Sequence, residues 1–339
     1  MEDMQTSLLP ALVTAAPVHL PAAFAEAAAS DSLIAALEAA QRYIDMATSK
    51  STLKAYKSDF AHFHEWCRAQ RLPSLPAKPA TVGLYLASLA ETHKPSTIVR
   101  RLAAIAMLHR DRDFPSPASM RFPAVGDVIR GIRREKGVRP EQKRALSTDE
   151  LRRMVTALPA TPHGLRDRAL LLIGFAGGFR RSELAAIDFA NVKDTDDGLE
   201  ILIRRSKTDQ EGEGREIGIA YGSDPKTCPV RAYRKWIAAA QITEGPVFRH
   251  FHNKTMGTKA ITDRVVALTI KKAAERVGLD AQSLAGHSLR SGLATTAARN
   301  GASEASIMKQ TGHRSVQMVR RYIREGSLFH DNASGKLGL

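Results

Sequence analysis

The sequence predicts a mainly α-helical protein of two domains, with a small β-sheet only in the second domain, which is of the α+β class. Apolar residues recur at helical spacing before residue 140, and no strand pattern occurs in that half. Alternation first occurs in the segments LEILI and REIGIA, beyond residue 198. The charged segment REKGVRPEQKRALS lacks apolar periodicity, so it indicates a linker between the two regions.

The same features divide the chain into segments. We expect a flexible N-terminal arm at 1–30, a helical domain at 31–136, a linker at 137–146, a mixed domain at 147–326 and a tail at 327–339.

The helical domain is expected to hold several helices in succession. The first lies in DSLIAALEAAQRYIDM, and the second lies in SKSTLKAYKSDFAHFHEWCRAQ, where Ser51 or Thr52 is a suitable cap. In the second helix an apolar stripe runs from Leu53 through Phe60 to Trp66. The others lie in PATVGLYLASLAE, KPSTIVRRLAAIAMLHRD and AVGDVIRGIRREKG.

The mixed domain begins at Ser147 and Glu150, which form a capping-box pattern. GLRDRALLLIGFAGG predicts a buried helix closed by a glycine pair, and the two alternating segments predict a hairpin around the turn DQEGEG. Further helices are expected at Thr227–Ala240, Ile261–Val277, His287–Asn300, Ser303–Gln310 and Ser315–Arg324.

The charge balance restricts the class of partner. The chain has 50 Lys and Arg against 35 Asp and Glu, a net charge of +15. Such an excess favours a polyanion, above all nucleic acid, because neutralised phosphates release counterions; a membrane surface or simple solubility are the alternatives. Cys67 and Cys228 show no metal-ligand spacing, so we expect neither a metal site nor a disulfide framework, and a reducing compartment.

The N-terminus loosely resembles a signal peptide, but it begins with acids and prolines cut its apolar part. No run approaches the roughly 18 apolar residues of a spanning helix. We therefore expect a cytoplasmic protein without a membrane partner.

One set of side chains in the second domain suits phosphodiester chemistry without a metal. That reaction needs cations at the phosphoryl oxygens, a nucleophile, and an acid for the departing oxygen. Arginine suits the first task because its planar fork donates two parallel hydrogen bonds. In chain order the candidates are Arg180 with Glu183 one turn later, Lys207 at the hairpin turn, His287, Arg290, His313 and Tyr322.

Taken singly, these residues have ordinary explanations. Arg180 and Glu183 fit a surface ion pair, Lys207 a solvated turn lysine, and Tyr322 a half-buried core residue. The segment 303–324 also has the length of a helix-turn-helix. Its second helix, however, begins with Val316, Met318 and Val319, where a recognition helix needs polar residues.

Taken together, the candidates resemble the signature of the tyrosine recombinases (phage integrase family), the Cre type in particular. The signature is Gly-x-Arg-x-x-Glu-Leu, a hairpin lysine, His-x-x-Arg, a His or Trp, and the tyrosine, here within GGFRRSEL, RRSKT, GHSLRSG and TGHRSVQMVRRYIR. STLKAYKSDFAHFHEWCRAQ, STIVRRLAAIAMLHR and VIRGIRREKG resemble the Cre-type core-binding domain. The resemblance covers most of the chain after about residue 45. The departures are a longer arm and His313, where the Cre-type protein has tryptophan.

This resemblance implies a two-domain DNA clamp with a core-binding and a catalytic domain. The implied activity is site-specific recombination, for integration, excision or resolution, without cofactor, metal or ATP. Tyr322 would attack the scissile phosphate and form a 3′-phosphotyrosyl bond. Arg180, oriented by Glu183, and Arg290 would clamp the non-bridging oxygens.

The remaining signature residues receive proton and hydrogen-bond roles by the same resemblance. Lys207 would protonate the leaving 5′-oxygen, His287 would act as general acid and base near Tyr322, and His313 would donate a hydrogen bond to the phosphate.

Candidate DNA contacts lie in both domains. Thr97, Arg100 and Arg101 lie on one helix and Lys54 on another, and the resemblance implies that Arg264 reads a base. For each of them, a phosphate contact or a plain surface charge is the alternative.

The implied partner is double-stranded DNA with inverted-repeat target sites. The protein would bind one site as a monomer or dimer and two sites as a homotetramer, with the tail around Leu328 and Phe329 docked into a neighbouring subunit. Two alternatives remain at this point: a type IB topoisomerase-like enzyme that relaxes DNA, and a non-catalytic helix-turn-helix regulator.

Overall fold

The computed structural model describes residues 31–137, 143–204, 214–313, 315–326 and 337. The chain divides into two compact units, Met1–Pro140 and Glu141–Leu339. The predicted arm lies outside the described residues, as does the predicted tail apart from Leu337. The functional domain boundaries remain predictions.

In its described part, residues 31–137, the first unit consists of helices joined by loops, without strands, as the sequence predicts. Its helices are α1 (Asp31–Ala47), α2 (Lys50–Ala69), α3 (Pro79–Leu89), α4 (Pro95–Arg110) and α5 (Pro123–Lys136). The predicted cap of α2 was wrong. Ser49 caps this helix by accepting a hydrogen bond of 3.2 Å from the Thr52 backbone N–H, so Thr52 is the donor of the capping bond and not the cap.

The core of this unit comes from the apolar faces of its helices. Phe60 and Phe63 on α2 and Ile98 and Ile105 on α4 are at most 1% exposed. Their spacing places them on one face of each helix, and α2 packs against α4 while α3 packs against α5. Prolines begin α3, α4 and α5, where the missing N–H has no helical partner to lose.

The second unit mixes helices with two small antiparallel sheets. Its strands are β1 (Val192–Asp194), β2 (Gly198–Ile203), β3 (Arg215–Ala220), β4 (Arg249–His252) and β5 (Thr255–Ala260), arranged as β1-β2-β3 and β4-β5. Its helices are α6 (Thr148–Thr156), α7 (Pro162–Ala176), α8 (Arg181–Ala185), α9 (Pro229–Ala240), α10 (Asp263–Arg276), α11 (Ser288–Arg299), α12 (Glu304–Thr311) and α13 (Val316–Gly326).

The predicted hairpin is confirmed, since β2 and β3 pair antiparallel with Ile201 opposite Ile217. Its turn, residues 205–213, lies outside the described residues and takes Lys207 with it. Strand β1, the β4-β5 hairpin and the short α8 were not predicted. The reason is local: VKD, RHFH and TMGTKA lack apolar alternation, and RSELA is too short to show a helical period.

The predicted capping box at the start of α6 is confirmed, with Ser147 and Glu150 bonded reciprocally. Immediately before it, the backbone N–H of Leu146 donates to the Ser288 carbonyl at 3.1 Å, and Leu146 is 1% exposed. Residues 143–146 of the predicted linker therefore pack against this unit, beside the start of α11. No described helix is long and apolar enough to cross a membrane.

Candidate active site

The start of α11, the segment before α8 and the turn between α12 and α13 meet around one cavity of about 540 Å³. Arg180, His287, Arg290 and His313 line it. Arg180, His287 and His313 are far apart in sequence. Helix α11 packs against α12 and α13 and also against α7, whose C-terminal turn leads to Arg180. Tyr322 lies next to this group through its contact with His287. Lys207 lies outside the described residues, so its position relative to the cavity stays a prediction.

Glu183 contacts both the side chain and the backbone of Arg180. Its carboxylate accepts a bond of 2.5 Å from Arg180 Nη1 and one of 2.9 Å from the Arg180 backbone N–H. Burial by itself would raise the pKa of Glu183, but these bonds and the charge of Arg215 outweigh it and hold that pKa below its ordinary value. Glu183 is therefore an ionised, 3% exposed anchor for the guanidinium.

Arg215 at the start of β3 belongs to the same network, and the sequence analysis missed it. Its Nη2 donates to Glu183 Oε2 at 2.9 Å, and its Nη1 donates to the Gln310 carbonyl at 2.9 Å. The Arg215 guanidinium also lies close to Gly312 in the α12–α13 turn, where an added Cβ would be 2.8 Å from it. Only its place at the first residue of the alternating segment REIGIA could have drawn attention to it, and that signal indicates a strand but no site.

Arg290 is the most deeply buried cation of the cavity, with 1% exposure. Its Nη1 donates to the carbonyls of Gly178 and Thr311, which aim the guanidinium. Burial, and then the charge of Arg180, lower the pKa of Arg290 to about 10. Nη2 is buried and finds no hydrogen-bond partner among the described residues. A buried donor without a partner is costly, so Nη2 is a natural place for an incoming anionic oxygen.

His287 and Tyr322 form a direct pair, with His287 Nε2 and the Tyr322 hydroxyl 2.6 Å apart. Desolvation, then the charges of Arg290, Arg180 and Arg181, lower the pKa of His287 even though part of its side chain is exposed. A neutral imidazole can accept the phenolic proton. Tyr322 is 5% exposed and also packs on Ala294, Ile307 and Val319, so it is both a core residue and a partner of the site.

His313 lies in the turn that joins α12 to α13 and is 7% exposed. Its Nδ1 is 2.7 Å from the Thr311 hydroxyl. Burial, followed by the charges of Arg290 and Arg180, lowers the pKa of His313 to about 3. The imidazole is therefore neutral at physiological pH, with one nitrogen as donor and the other as acceptor.

The candidate DNA contacts of the first unit differ in their surroundings. Lys54 is exposed and Thr97 is half-buried. Arg100 forms a fork with Asp59 at 2.8 and 2.9 Å and keeps 51% of its side chain exposed. Arg101 is only 11% exposed. Its Nη1 donates to the Tyr85 hydroxyl at 3.1 Å, so the Arg101 side chain is hydrogen-bonded within the first unit. Base contacts by these residues stay predictions.

Arg264 is exposed in the first turn of α10, the helix capped by Thr262. Its neighbour Asp263 lines the same cavity, and Asp263 Oδ2 lies 3.5 Å from Arg181 Nη2. Arg264 is therefore near the rim of the cavity but outside the group that surrounds it, and its base-reading role also stays a prediction.

The helix-turn-helix alternative is poorly supported by these positions. The first residues of α13 include the apolar Val316 and Met318, which are 36% and 54% exposed, and Met318 lines the cavity. The turn before α13 contributes His313 to the same cavity. The helix pair therefore contributes to the cationic cavity, and the first turn of its second helix exposes the apolar Val316 and Met318.

Comparison with known proteins places this site in context. Residues 144–327 match the model of the "Phage integrase family". An integrase/recombinase XerD homolog of Selenomonas ruminantium is 38% identical over 304 residues, covering 88% of each chain. The Cre recombinase of Escherichia phage P1 is 26% identical over 299 residues, covering 82% of this chain and 85% of Cre.

A solved structure is similar in fold. The site-specific recombinase XerH, bound to a palindromic difH substrate after cleavage, matches with a TM-score of 0.61 at 14% identity. The match covers 88% of this chain and 82% of XerH. At that identity the likeness concerns the fold alone.

Proposed function

This chain belongs to the phage integrase family and is a tyrosine site-specific recombinase; on that premise we propose that Tyr322 is its nucleophile and the cationic cavity its phosphate site. The observation that carries this proposal is the 2.6 Å pair of Tyr322 and His287 beside Arg290 and Arg180. A phenol bonded to a neutral imidazole, next to buried cations, is suited to phosphoryl transfer.

The first step is a transesterification. The Tyr322 oxygen bonds to phosphorus as the bond from phosphorus to the 5′-oxygen breaks, and the phenolic proton passes to His287. Lys207 supplies the proton that the departing 5′-oxygen takes up. The products are a 3′-phosphotyrosyl bond and a free 5′-hydroxyl, with no net hydrolysis.

The cavity residues stabilise the charge that develops on the phosphate. Arg180 and Arg290 each donate to a non-bridging oxygen, and His313 donates a further hydrogen bond. Glu183 keeps Arg180 oriented. Tyr322 is 5% exposed and its side chain packs on Ala294, Ile307 and Val319, while its hydroxyl lies beside the cavity, 2.6 Å from His287 Nε2.

The second step exchanges strands. The 5′-hydroxyl of another strand attacks the phosphotyrosyl phosphorus and gives its proton to Lys207. The bond from phosphorus to the Tyr322 oxygen breaks, His287 returns the phenolic proton to that oxygen, and a new phosphodiester forms. No cofactor or metal takes part in this scheme, because the energy of the broken bond is retained in the covalent intermediate.

The DNA substrate we propose is a duplex with inverted repeats. XerH was solved on a palindromic substrate, and a two-fold site accommodates two protomers. Exchange between two such sites then requires a homotetramer. The helical domain would supply contacts through Lys54, Thr97, Arg100 and Arg101, and the catalytic domain through Arg264. The protein would act in the cytoplasm.

Trapping of the covalent intermediate tests the proposal. The wild-type protein is incubated with duplexes tiled across the DNA that flanks its gene, each labelled at either the 5′ or the 3′ end of one strand. A denaturing gel should show a protein adduct on the 5′-labelled strand only, because the 3′-phosphate stays attached. Tyr322→Phe should abolish the adduct and keep DNA binding.

Tyr233 offers a matched control, since it has the same 5% exposure in the same unit but lies on α9, none of whose residues lines the cavity. Tyr233→Phe should form the adduct at the wild-type rate. An adduct that survives Tyr322→Phe, or one carried by the 3′-labelled strand, would refute the assignment.

A further inference from the structure

Thr311, the last residue of α12, contacts two residues of the cavity at once. It is 0% exposed. Its carbonyl accepts from Arg290 Nη1. Its hydroxyl lies 2.6 Å from the Ile307 carbonyl and 2.7 Å from His313 Nδ1. Thr311 itself does not line the cavity.

The hydroxyl has a single proton to share between these two neighbours. If it donates to the Ile307 carbonyl, its oxygen accepts from His313, and the proton of the neutral imidazole is on Nδ1. If it donates to His313 Nδ1, the imidazole proton is on Nε2. The two arrangements give opposite hydrogen-bonding character to the nitrogen that is left for the cavity.

We propose that Thr311 is a positioning residue that sets the tautomer of His313, so that Nε2–H is presented to the scissile phosphate. This inference rests on the proposed function, because it assumes that a phosphate occupies the cavity. A phosphodiester has only acceptor oxygens there, so an unprotonated Nε2 would oppose one lone pair to another. The arrangement that fits a bound phosphate is therefore the one in which the Thr311 hydroxyl donates to His313 Nδ1 and not to the Ile307 carbonyl.

The neutrality of His313 makes this control necessary. A doubly protonated imidazole would donate from both nitrogens without any help, but the pKa of about 3 keeps His313 neutral. The orientation of the ring depends on the same bond, since Nδ1 and Thr311 are held together at 2.7 Å.

Removal of the hydroxyl alone tests the proposal. Thr311→Val keeps the carbonyl that holds Arg290 and nearly the same volume, while Thr311→Ser keeps the hydroxyl. We expect Thr311→Val to slow formation of the covalent adduct about tenfold under single-turnover conditions, the effect of one neutral hydrogen bond. Thr311→Ser should stay within about twofold of wild type, and the DNA affinity of both variants should be unchanged.

A double-mutant cycle separates tautomer control from packing. His313→Gln and His313→Trp each put an N–H donor at this position that has no alternative tautomer. In these backgrounds Thr311→Val should change the rate less than twofold. The proposal would be overturned if Thr311→Val slowed adduct formation equally in the protein with His313 and in the His313→Gln and His313→Trp proteins. It would also be overturned if Thr311→Val slowed adduct formation in none of them. Failure of the wild-type protein to form any adduct would instead refute the proposed function.

A spectroscopic measurement decides the matter if both donor variants are inactive. Nitrogen-15 spectra of labelled histidines, recorded on Tyr322→Phe protein bound to a cleavable half-site duplex, report which His313 nitrogen has the proton. The His313→Gln spectrum identifies the resonance. A proton on Nε2 in the complex, and its loss or mixing in Thr311→Val, supports the proposal. If the proton is on His313 Nδ1 in the complex of the protein that keeps Thr311, the proposal is ruled out.

Discussion

At the scale of single residues, the site concentrates positive charge around a cavity and uses one carboxylate to organise it. Arg180 and Arg215 share Glu183, while Arg290 is held by backbone carbonyls. Burial, and then the charges of Arg290 and Arg180, lower the pKa of His313 to about 3. The site is therefore built for an anionic oxygen cluster, at a cost to the stability of the free protein.

Stability should fall with acid because His313 is buried in its neutral form. Its folded pKa of about 3 lies below the ordinary value of 6.5, so its contribution is complete above pH 6.5 and is lost as the pH falls towards 3. Between pH 7 and pH 5 this histidine should cost about 2 kcal/mol of unfolding free energy. Urea unfolding at both pH values should show a correspondingly smaller loss for His313→Gln. Equal losses in the two proteins would contradict the assignment.

Substitution of Arg215 should weaken catalysis without removing any group that lines the cavity. In Arg215→Met, Glu183 keeps its bonds to Arg180 but loses its second cationic partner, so the Glu183–Arg180 pair can shift. We expect adduct formation to slow by about 10- to 100-fold, as for a small misplacement of a catalytic group. Arg204→Met is the control, because Arg204 is exposed at the end of β2 and bonds only Asn191 among the described residues. Similar rates for both variants would show that Arg215 has no positioning role.

At the scale of elements, the α12–α13 turn is the most constrained part of the site. Gly312 adopts a positive φ of 64°, and a Cβ at this position would lie 2.8 Å from the Arg215 guanidinium. On either side of this glycine, the Thr311 carbonyl accepts a hydrogen bond from Arg290 Nη1 and His313 lines the cavity. An alanine here would therefore adopt an unfavourable left-handed backbone and would displace the Arg215 guanidinium.

Alanine substitutions at two glycines distinguish the effect of the backbone conformation from the effect of the limited space. Gly301, after α11, has a φ of 80° and nothing within 4 Å of an added Cβ. Gly301→Ala and Gly312→Ala should both lose about 1–2 kcal/mol in thermal or urea unfolding, because both pay for a left-handed alanine. Only Gly312→Ala should also slow adduct formation, since it displaces Arg215. Equal activity of the two variants would show that the contact with Arg215 does not matter.

At the scale of the whole molecule, the two units have separate hydrophobic cores and the chain has a net charge of +15. For a protein that neutralises phosphates, much of the binding free energy comes from released counterions. The charge thus supports DNA binding in general, whereas site choice depends on the few residues that reach bases.

The salt dependence of binding follows from this charge. With roughly 6–10 phosphate contacts, the affinity of Tyr322→Phe protein for its duplex should fall by about 10³–10⁵ between 50 and 200 mM salt. Fluorescence anisotropy at several salt concentrations gives the slope. Lys54→Ala should reduce this slope by about one if that lysine contacts a phosphate. An affinity that hardly changes with salt would contradict the electrostatic account.

Much of the fold was predictable because its signals are local. The helix periods, the capping box at Ser147 and the β2-β3 hairpin are written in short stretches of sequence. The β4-β5 hairpin was not predictable, since its strands are polar and half-exposed and hold together by pairing with each other. The cap of α2 was misplaced by two or three residues, because neighbouring Ser and Thr are chemically equivalent candidates there.

For the site, the sequence by itself determined the family and the order of the signature residues, and it predicts the chemistry that they would perform. Only the tertiary structure decided that Arg215 shares Glu183, that Thr311 joins Arg290 to His313, and that Arg101 is tied into its own unit. The physical reason is the range of the interaction. Periodicity and capping report the state of neighbouring residues, whereas these contacts depend on how distant elements pack against one another.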